Sequence, residues 1–147
     1  MRLSLVICCC AFALIASCKK DATRKPYTYI NVRFVEHDEY IFMETVEGNW
    51  DINTKVANLT GVGYQFQRFL LYLPNLRDTG FFPNPTISNF SYNDGFDFMP
   101  FKVTGGFIRI TQLDSVSVSG HFQITMQDDF NGAEIRTVIG EFGINKQ

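Results

Sequence analysis

The chain has 147 residues, a formal net charge of −2, 46% hydrophobic residues and 19% charged ones. That is one domain's worth of chain, too apolar for a disordered protein and too short for a two-domain enzyme. No excess of Lys and Arg exists to neutralise a phosphate backbone, so nucleic acid is not an expected partner.

All four cysteines, Cys8, Cys9, Cys10 and Cys18, fall within the first 18 residues. A disulfide framework spreads its cysteines through a fold, because a bridge stabilises by closing a loop. These sit instead in or beside an apolar run, residues 3–14, preceded by Met1-Arg2. Twelve residues are too few to span a bilayer as a helix, which takes about 20. A positive start, a short apolar stretch and then small residues are the pattern of a secretory signal peptide.

The end of that signal, Ile15-Ala16-Ser17-Cys18, resembles the lipobox of bacterial lipoproteins. The resemblance implies lipidation of the Cys18 thiol, cleavage after Ser17 and acylation of the new amine. Residues 1–17 are then the signal peptide, 18–26 the lipidated Cys with a hydrophilic tether, and 27–147 the folded domain. Removing the signal leaves 130 residues with 12 basic side chains against 15 acidic ones, a balance of −3. The tether, Lys19-Lys20-Asp21-Ala22-Thr23-Arg24-Lys25-Pro26, has no apolar periodicity. At about 3.3–3.6 Å per extended residue it keeps the domain near the membrane. Lys19 stands where Asp serves as an inner-membrane retention cue, so the outer membrane is the expected address, on either its periplasmic or its outward side. No thiol chemistry is expected of the mature protein.

Beyond Pro26 the recurring pattern is apolar–polar alternation bounded by Gly, Asn, Asp and Pro, the signature of strands. Expected strands are 28–35, 39–46, 50–59, 64–73, 86–92, 96–103, 107–113, 116–126 and 136–145. In 64–73 the apolar register slips, which a bulge near Gln67-Arg68 or burial of both faces would explain. The loop 74–85, with Gly80, Pro83 and Pro85, is expected to cross between sheets. The clearest strand is 116–126: Val116, Val118, Phe122, Ile124 and Met126 share a face with Gly120, and Ser117, Ser119, His121, Gln123 and Thr125 share the other. A two-residue connection, Asp114-Ser115, joins it to the strand before, and Asn131-Gly132 signals the turn after it. The last, 136–145, places Val138, Phe142 and Ile144 on one face with Gly140, completing a three-stranded meander. About nine short strands make an all-β, antiparallel β-sandwich, with a lipocalin-like closed barrel as the alternative.

The arrangement resembles a family of small Bacteroidetes-type outer-membrane lipoproteins with a single β-sandwich domain behind a lipobox. The likeness is carried by Glu47-Gly48-Asn49-Trp50, similar to that family's Gly-containing turn leading into a Trp. It continues in residues 107–114, in Val118-Ser119-Gly120-His121-Phe122-Gln123-Ile124-Thr125, and in Val138-Ile139-Gly140-Glu141-Phe142. Where the family shows Gly-Thr-Phe-x-Phe, His121 and Ile124 depart from it. The resemblance implies a fold and an address, and carries no catalytic residue. Asp114-Ser115-Val116 further resembles the Asp-Ser/Thr-apolar acceptor of O-glycosylation in Bacteroidetes-type secreted proteins, which implies Ser115 as an acceptor on a hairpin tip.

Chemistry has few candidates. The two histidines, His37 and His121, stand in a charged turn and on the polar face of the best strand. Neither a His-Glu-x-x-His run nor a Gly-x-Ser-x-Gly elbow is present. Asp94, Asp97, Asp128 and Asp129 all lie in turn contexts, where Asx side chains serve the backbone. No catalytic residue, metal ligand or cofactor is therefore assigned, and no enzymatic activity is expected.

Aromatic content is the remaining signal: Phe supplies 15 residues against 6 Tyr and 1 Trp. Phe34, Phe42, Phe66, Phe107, Phe122 and Phe142 are expected in the core. Phe81, Phe82, Tyr92, Phe96, Phe98 and Phe101 are dense enough to be either core filling or a patch for a ligand or partner. The expected function is a membrane-anchored lipoprotein serving as a non-catalytic binding or structural accessory of the cell envelope, contacting an envelope protein or a glycan. The alternative is a lipocalin-like carrier of a small apolar ligand.

Overall fold

Alternation along the chain is realised as strands wherever one face can be buried against a second sheet. In the computed structural model, residues 27–83, 85–86, 88–95, 101–127 and 134–146 are described; Cys18, the tether, Phe96, Phe98, Asp97 and the Asn131-Gly132 turn lie outside them. Among the described residues ten strands run β1 (Tyr29–Phe34), β2 (Glu39–Ile41), β3 (Met43–Asp51), β4 (Val56–Gly63), β5 (Arg68–Leu73), β6 (Gly80–Pro83), β7 (Phe90–Asn93), β8 (Lys102–Leu113), β9 (Ser117–Gln127) and β10 (Ile135–Asn145). They form two sheets, one of six strands in the order β2-β1-β10-β9-β8-β6 and one of four in the order β3-β4-β5-β7. Every pairing is antiparallel. The sheets stay open at both edges, so the fold is a sandwich and the closed-barrel alternative is corrected.

The meander β8-β9-β10 forms the heart of the larger sheet, and β1 adds to its edge through Ile30↔Phe142 and Val32↔Gly140. Inward side chains alternate as the sequence indicates: Val118, Phe122, Ile124 and Met126 on β9, and Val138, Phe142 and Ile144 on β10, are all buried. From the smaller sheet Trp50, Leu59, Phe69, Leu71, Phe90 and Tyr92 meet them. Aromatic rings tie the layers: Tyr92 stacks on Phe69 at 4.5 Å and touches Phe34 and Phe101 at 5.4 Å each, while Phe90 reaches Phe122 at 5.1 Å. Such offset and edge contacts add to plain area burial. Arg136, clamped by Glu134 at 2.8 Å, lies 4.9 Å over Phe101 and 5.6 Å over Phe34, closing one end of this aromatic column.

Several expectations fail for local reasons. The strand expected at 50–59 breaks into the end of β3, a turn at residues 52–55 and the start of β4. Asp51 makes that turn by accepting the Asn53 N–H at 2.9 Å and the Thr54 hydroxyl at 2.8 Å, and Lys55 is left-handed (φ 59). Gly48 and Trp50 therefore lie inside β3, and the Gly-containing turn expected before Trp50 is part of a strand. The register slip near residue 67 marks a hairpin turn, with no bulge: Gln65 (φ 57) and Phe66 (φ 65) are both left-handed, and Gly63 and Gln67 pair across the turn at 2.8 Å. Residues 64–66 thus form a three-residue hairpin loop, two of whose positions hold the left-handed backbone that Gly or Asn usually supplies. Phe66 consequently projects into solvent, 84% exposed, and Phe42, on the one-residue link where the chain changes sheets, is 78% exposed; both were expected in the core, as was Phe107, which β8 turns to the outer face of the larger sheet. The crossing loop 74–85 carries a strand of its own, β6, on the edge of the larger sheet. The continuous β8 starts at Lys102 and joins the end of the expected strand 96–103 to the expected 107–113, residues 96–100 lying outside the described ones. Val116 falls in the β8–β9 turn and is exposed.

Candidate functional site

Because side chains alternate along a strand, the same registers that bury Phe122 and Phe142 turn their neighbours outward. On the outer face of the six-stranded sheet, cross-strand partners fall into transverse rows. One row reads Asn31–Glu141–His121–Arg109–Phe81 across β1, β10, β9, β8 and β6. The next reads Tyr40–Arg33–Ile139–Gln123–Phe107 across β2, β1, β10, β9 and β8. Asn31, Glu141 and His121 of the first row and all five residues of the second line a shallow groove of about 680 Å³, and Arg109 and Phe81 continue the first row beyond it. The main chain at Val32, Gly140 and Phe122, whose side chains or hydrogen face the interior, runs along its floor.

Geometry within the rows sorts their charges. Asn31 Nδ2 donates to Glu141 Oε1 at 2.8 Å, which holds both side chains across the β1–β10 pair. Arg33 is paired with Asp38 at 2.6 Å and lies 5.7 Å over the Tyr40 ring. Arg109 lies 5.3 Å over the Phe81 ring and has no carboxylate partner among the described residues. Phe81 meets Phe107 edge-on at 5.6 Å, and Phe107 meets His121 at 6.5 Å and 82°. The groove thus has aromatic ends, Tyr40 and Phe107, and a middle of amide, carboxylate, imidazole and guanidinium groups, with Phe81 and Arg109 just beyond its Phe107 end. Aromatic faces give contact area at low entropy cost, and the polar groups fix orientation.

The described members of the aromatic cluster noted in the sequence do not share a surface. Tyr92 and Phe101 are buried in the column between the sheets, and Phe82 packs against that core. Phe81, one residue away from Phe82, points outward and is 64% exposed. His121 is exposed between Glu141 and Arg109, and His37 is exposed in the turn between β1 and β2. Among the described residues no group of three or more His, Cys, Asp or Glu side chains is placed to hold a metal.

Ser115 stands exposed in the turn at residues 114–116. Asp114 builds that turn, accepting the N–H groups of Val116 and Ser117 at 2.8 Å each and the Gln112 amide at 2.8 Å. These donors, the Gln112 amide first, hold the Asp114 carboxyl below the usual carboxylate range. The Asp114 carbonyl accepts the Trp50 indole N–H at 2.8 Å, tying the turn to the smaller sheet. Ser115 also borders a second groove of about 390 Å³ with Trp50, Lys55, Arg77 and Asp78.

Sequence reasoning placed His121 and Gln123 on a polar face but did not join them to Asn31, Arg33, Tyr40, Phe107, Arg109 or Glu141. The signal was present in the odd-numbered residues of β9 and β10. What it lacked was the partner strand, since Asn31 and Glu141 are 110 positions apart. Among the described residues no helix is long and apolar enough to cross a membrane. No protein-family model, curated protein or solved structure matches the chain.

Proposed function

We propose that this chain is a lipid-anchored accessory of the bacterial cell envelope that binds a ligand on the outer face of its six-stranded sheet and does no chemistry on it. One observation carries the binding half of this reading. Two transverse rows of side chains present a groove with aromatic ends and a polar middle, on a face where the rings of Tyr40 and Phe81 stand exposed. A sheet face suits such a site because its side chains are held by paired backbone on both sides. The address half rests on the lipobox-like Ile15-Ala16-Ser17-Cys18 and on Lys19, which favour a lipid on Cys18 and the outer membrane. The folded domain starts at Tyr27, at the end of the sandwich where Thr28 meets Asn145 and the main chain at Lys146 bonds Val116. A tether arriving there leaves the groove running along the side of the domain. Ser115, on the exposed turn of that same end, is the proposed O-glycosylation acceptor.

The test has two readouts. Protease shaving of intact cells, with Cys18→Ala as the control, is expected to show membrane association that the substitution abolishes. The purified full chain in detergent, titrated with fractionated envelope glycans and proteins, is expected to show amide shifts confined to β1, β8, β9 and β10. Shifts confined to the four-stranded sheet would refute the binding half.

A further inference from the structure

We infer that the groove on the six-stranded sheet takes a short oligosaccharide bearing carboxylates, a uronate chain, with Arg109, which flanks the groove two residues along β8 from Phe107, holding a carboxylate and the Phe107 ring, backed by Phe81, taking a sugar face. This rests on the reading of that face as the ligand surface. The first ground is charge. Glu141 accepts the Asn31 amide and Arg33 is paired with Asp38, whereas Arg109 presents its guanidinium beside His121 against the Phe81 ring, with no carboxylate on it among the described residues. A planar guanidinium accepts a carboxylate in bidentate fashion, and stacking on an aromatic ring pre-orders it for that contact.

The second ground is backbone satisfaction. Strands β1, β10, β9 and β8 are each paired on both sides, so the face offers no free N–H or C=O for an added peptide strand. Recognition must run through side chains, and Asn31, Gln123 and Glu141 supply alternating donors and acceptors of the kind sugar hydroxyls satisfy.

The third ground is length. From Tyr40 on β2 to Phe107 on β8 the row crosses four inter-strand spacings of about 4.8 Å, roughly 19 Å in all. That suits a chain of several rings lying across the strands, with apolar platforms at both ends.

The experiment titrates the purified full chain with tetrasaccharides of galacturonate, mannuronate and glucuronate, with the methyl ester of each, and with tetraglutamate, reading amide shifts and affinity. At least one uronate is expected to bind with shifts at Arg109, His121 and Gln123, and its methyl ester to bind far more weakly. Arg109→Gln is expected to weaken that binding roughly tenfold to hundredfold, as loss of a charge-assisted contact does. Arg68→Gln, on the other sheet, is expected to leave it unchanged. Equal binding of a methyl ester on the same face overturns the uronate inference while the ligand face stands. Tighter binding of tetraglutamate overturns it in favour of an acidic peptide. Failure of all three uronates overturns it outright, and the ligand face itself fails only when no envelope fraction shifts these strands.

Discussion

Phe122 and Gly140 face each other across the β9–β10 pair, and the Phe122 ring fills the space a side chain on Gly140 would need. Its Cζ lies 2.6 Å from where a Cβ on Gly140 would stand. Two residues along, the arrangement repeats in reverse, with the Phe142 ring 3.0 Å from the Cβ position of Gly120. Each glycine thus leaves room for the ring opposite it, in the layer beneath the floor of the groove.

Gly140→Ala should therefore force Phe122 from its place and press on the Asn31 carbonyl of β1 as well. Overpacking of this kind costs about 1–3 kcal/mol. Urea unfolding of the variant is expected to show a lower midpoint with an unchanged slope. An unaltered midpoint would mean the ring has room to move that the packing does not reveal.

Phe66 and Gln65 hold left-handed backbone at the β4–β5 hairpin, and the Phe66 ring, being exposed, contributes little burial in return. Left-handed backbone costs a bulky residue about 1–2 kcal/mol, and the extra chain entropy of glycine offsets roughly half of the gain from removing it. Phe66→Gly is expected to stabilise the domain by about 1 kcal/mol, read as a raised Tm. A fall in Tm would show that the ring makes a stabilising contact despite its exposure.

Stability should decline at both ends of the pH scale, by different groups. The carboxyls of Asp51 and Asp114 are held below their ordinary value, Asp51 chiefly by the Asn53 N–H and Asp114 chiefly by the Gln112 amide. Their contribution is complete above the unfolded carboxylate value of about 3.9 and is lost as pH falls through the lower folded values. Asp114→Asn keeps an acceptor oxygen for the turn and should flatten part of the acid limb in a plot of unfolding midpoint against pH.

At the alkaline end, burial pushes Tyr92 up to about 12, with Asp94 and Glu39 adding to the rise and Arg136 opposing it. A phenol whose folded value is raised keeps its full contribution below the unfolded value of about 10. It loses that contribution as pH climbs toward 12. Tyrosinate absorbance should show one late-titrating group that is absent in Tyr92→Phe.

Trp50 is the sole tryptophan and is 1% exposed, its indole N–H bonded to the Asp114 carbonyl. Its fluorescence should be blue-shifted in the folded chain and move red in step with loss of the β-sheet circular dichroism. Trp50→Phe leaves that carbonyl without its donor and opens space between the sheets, at a cost of about 2–4 kcal/mol. A variant as stable as the parent would show that the β8–β9 turn does not depend on the bond.

How much of this was legible in the order of residues depends on where the information lay. Strand β9 was readable because one face is apolar and the other polar over its eleven residues, and β10 because Val138, Phe142 and Ile144 share a face with Gly140. Residues 50–59 were misread because Trp50 and Leu59 are strand-like, while the Asp51, Asn53 and Thr54 side chains that turn the chain between them are also common in polar strand faces. Phe42 and Phe66 were misassigned because hydrophobicity alone does not say whether a ring belongs to a strand or to the link beside it.

The residues by themselves determined that the domain is all-β and antiparallel, and which side of the C-terminal meander is buried, because period-2 alternation is a local property of the chain. Only the tertiary structure decided that Asn31 meets Glu141, that His121 stands between Glu141 and Arg109, and that Phe81 faces outward while Phe82, Tyr92 and Phe101 pack inward. Local periodicity assigns a side chain to a face. The partner strand and the register, which set its neighbours, are fixed when the two sheets close over their shared core.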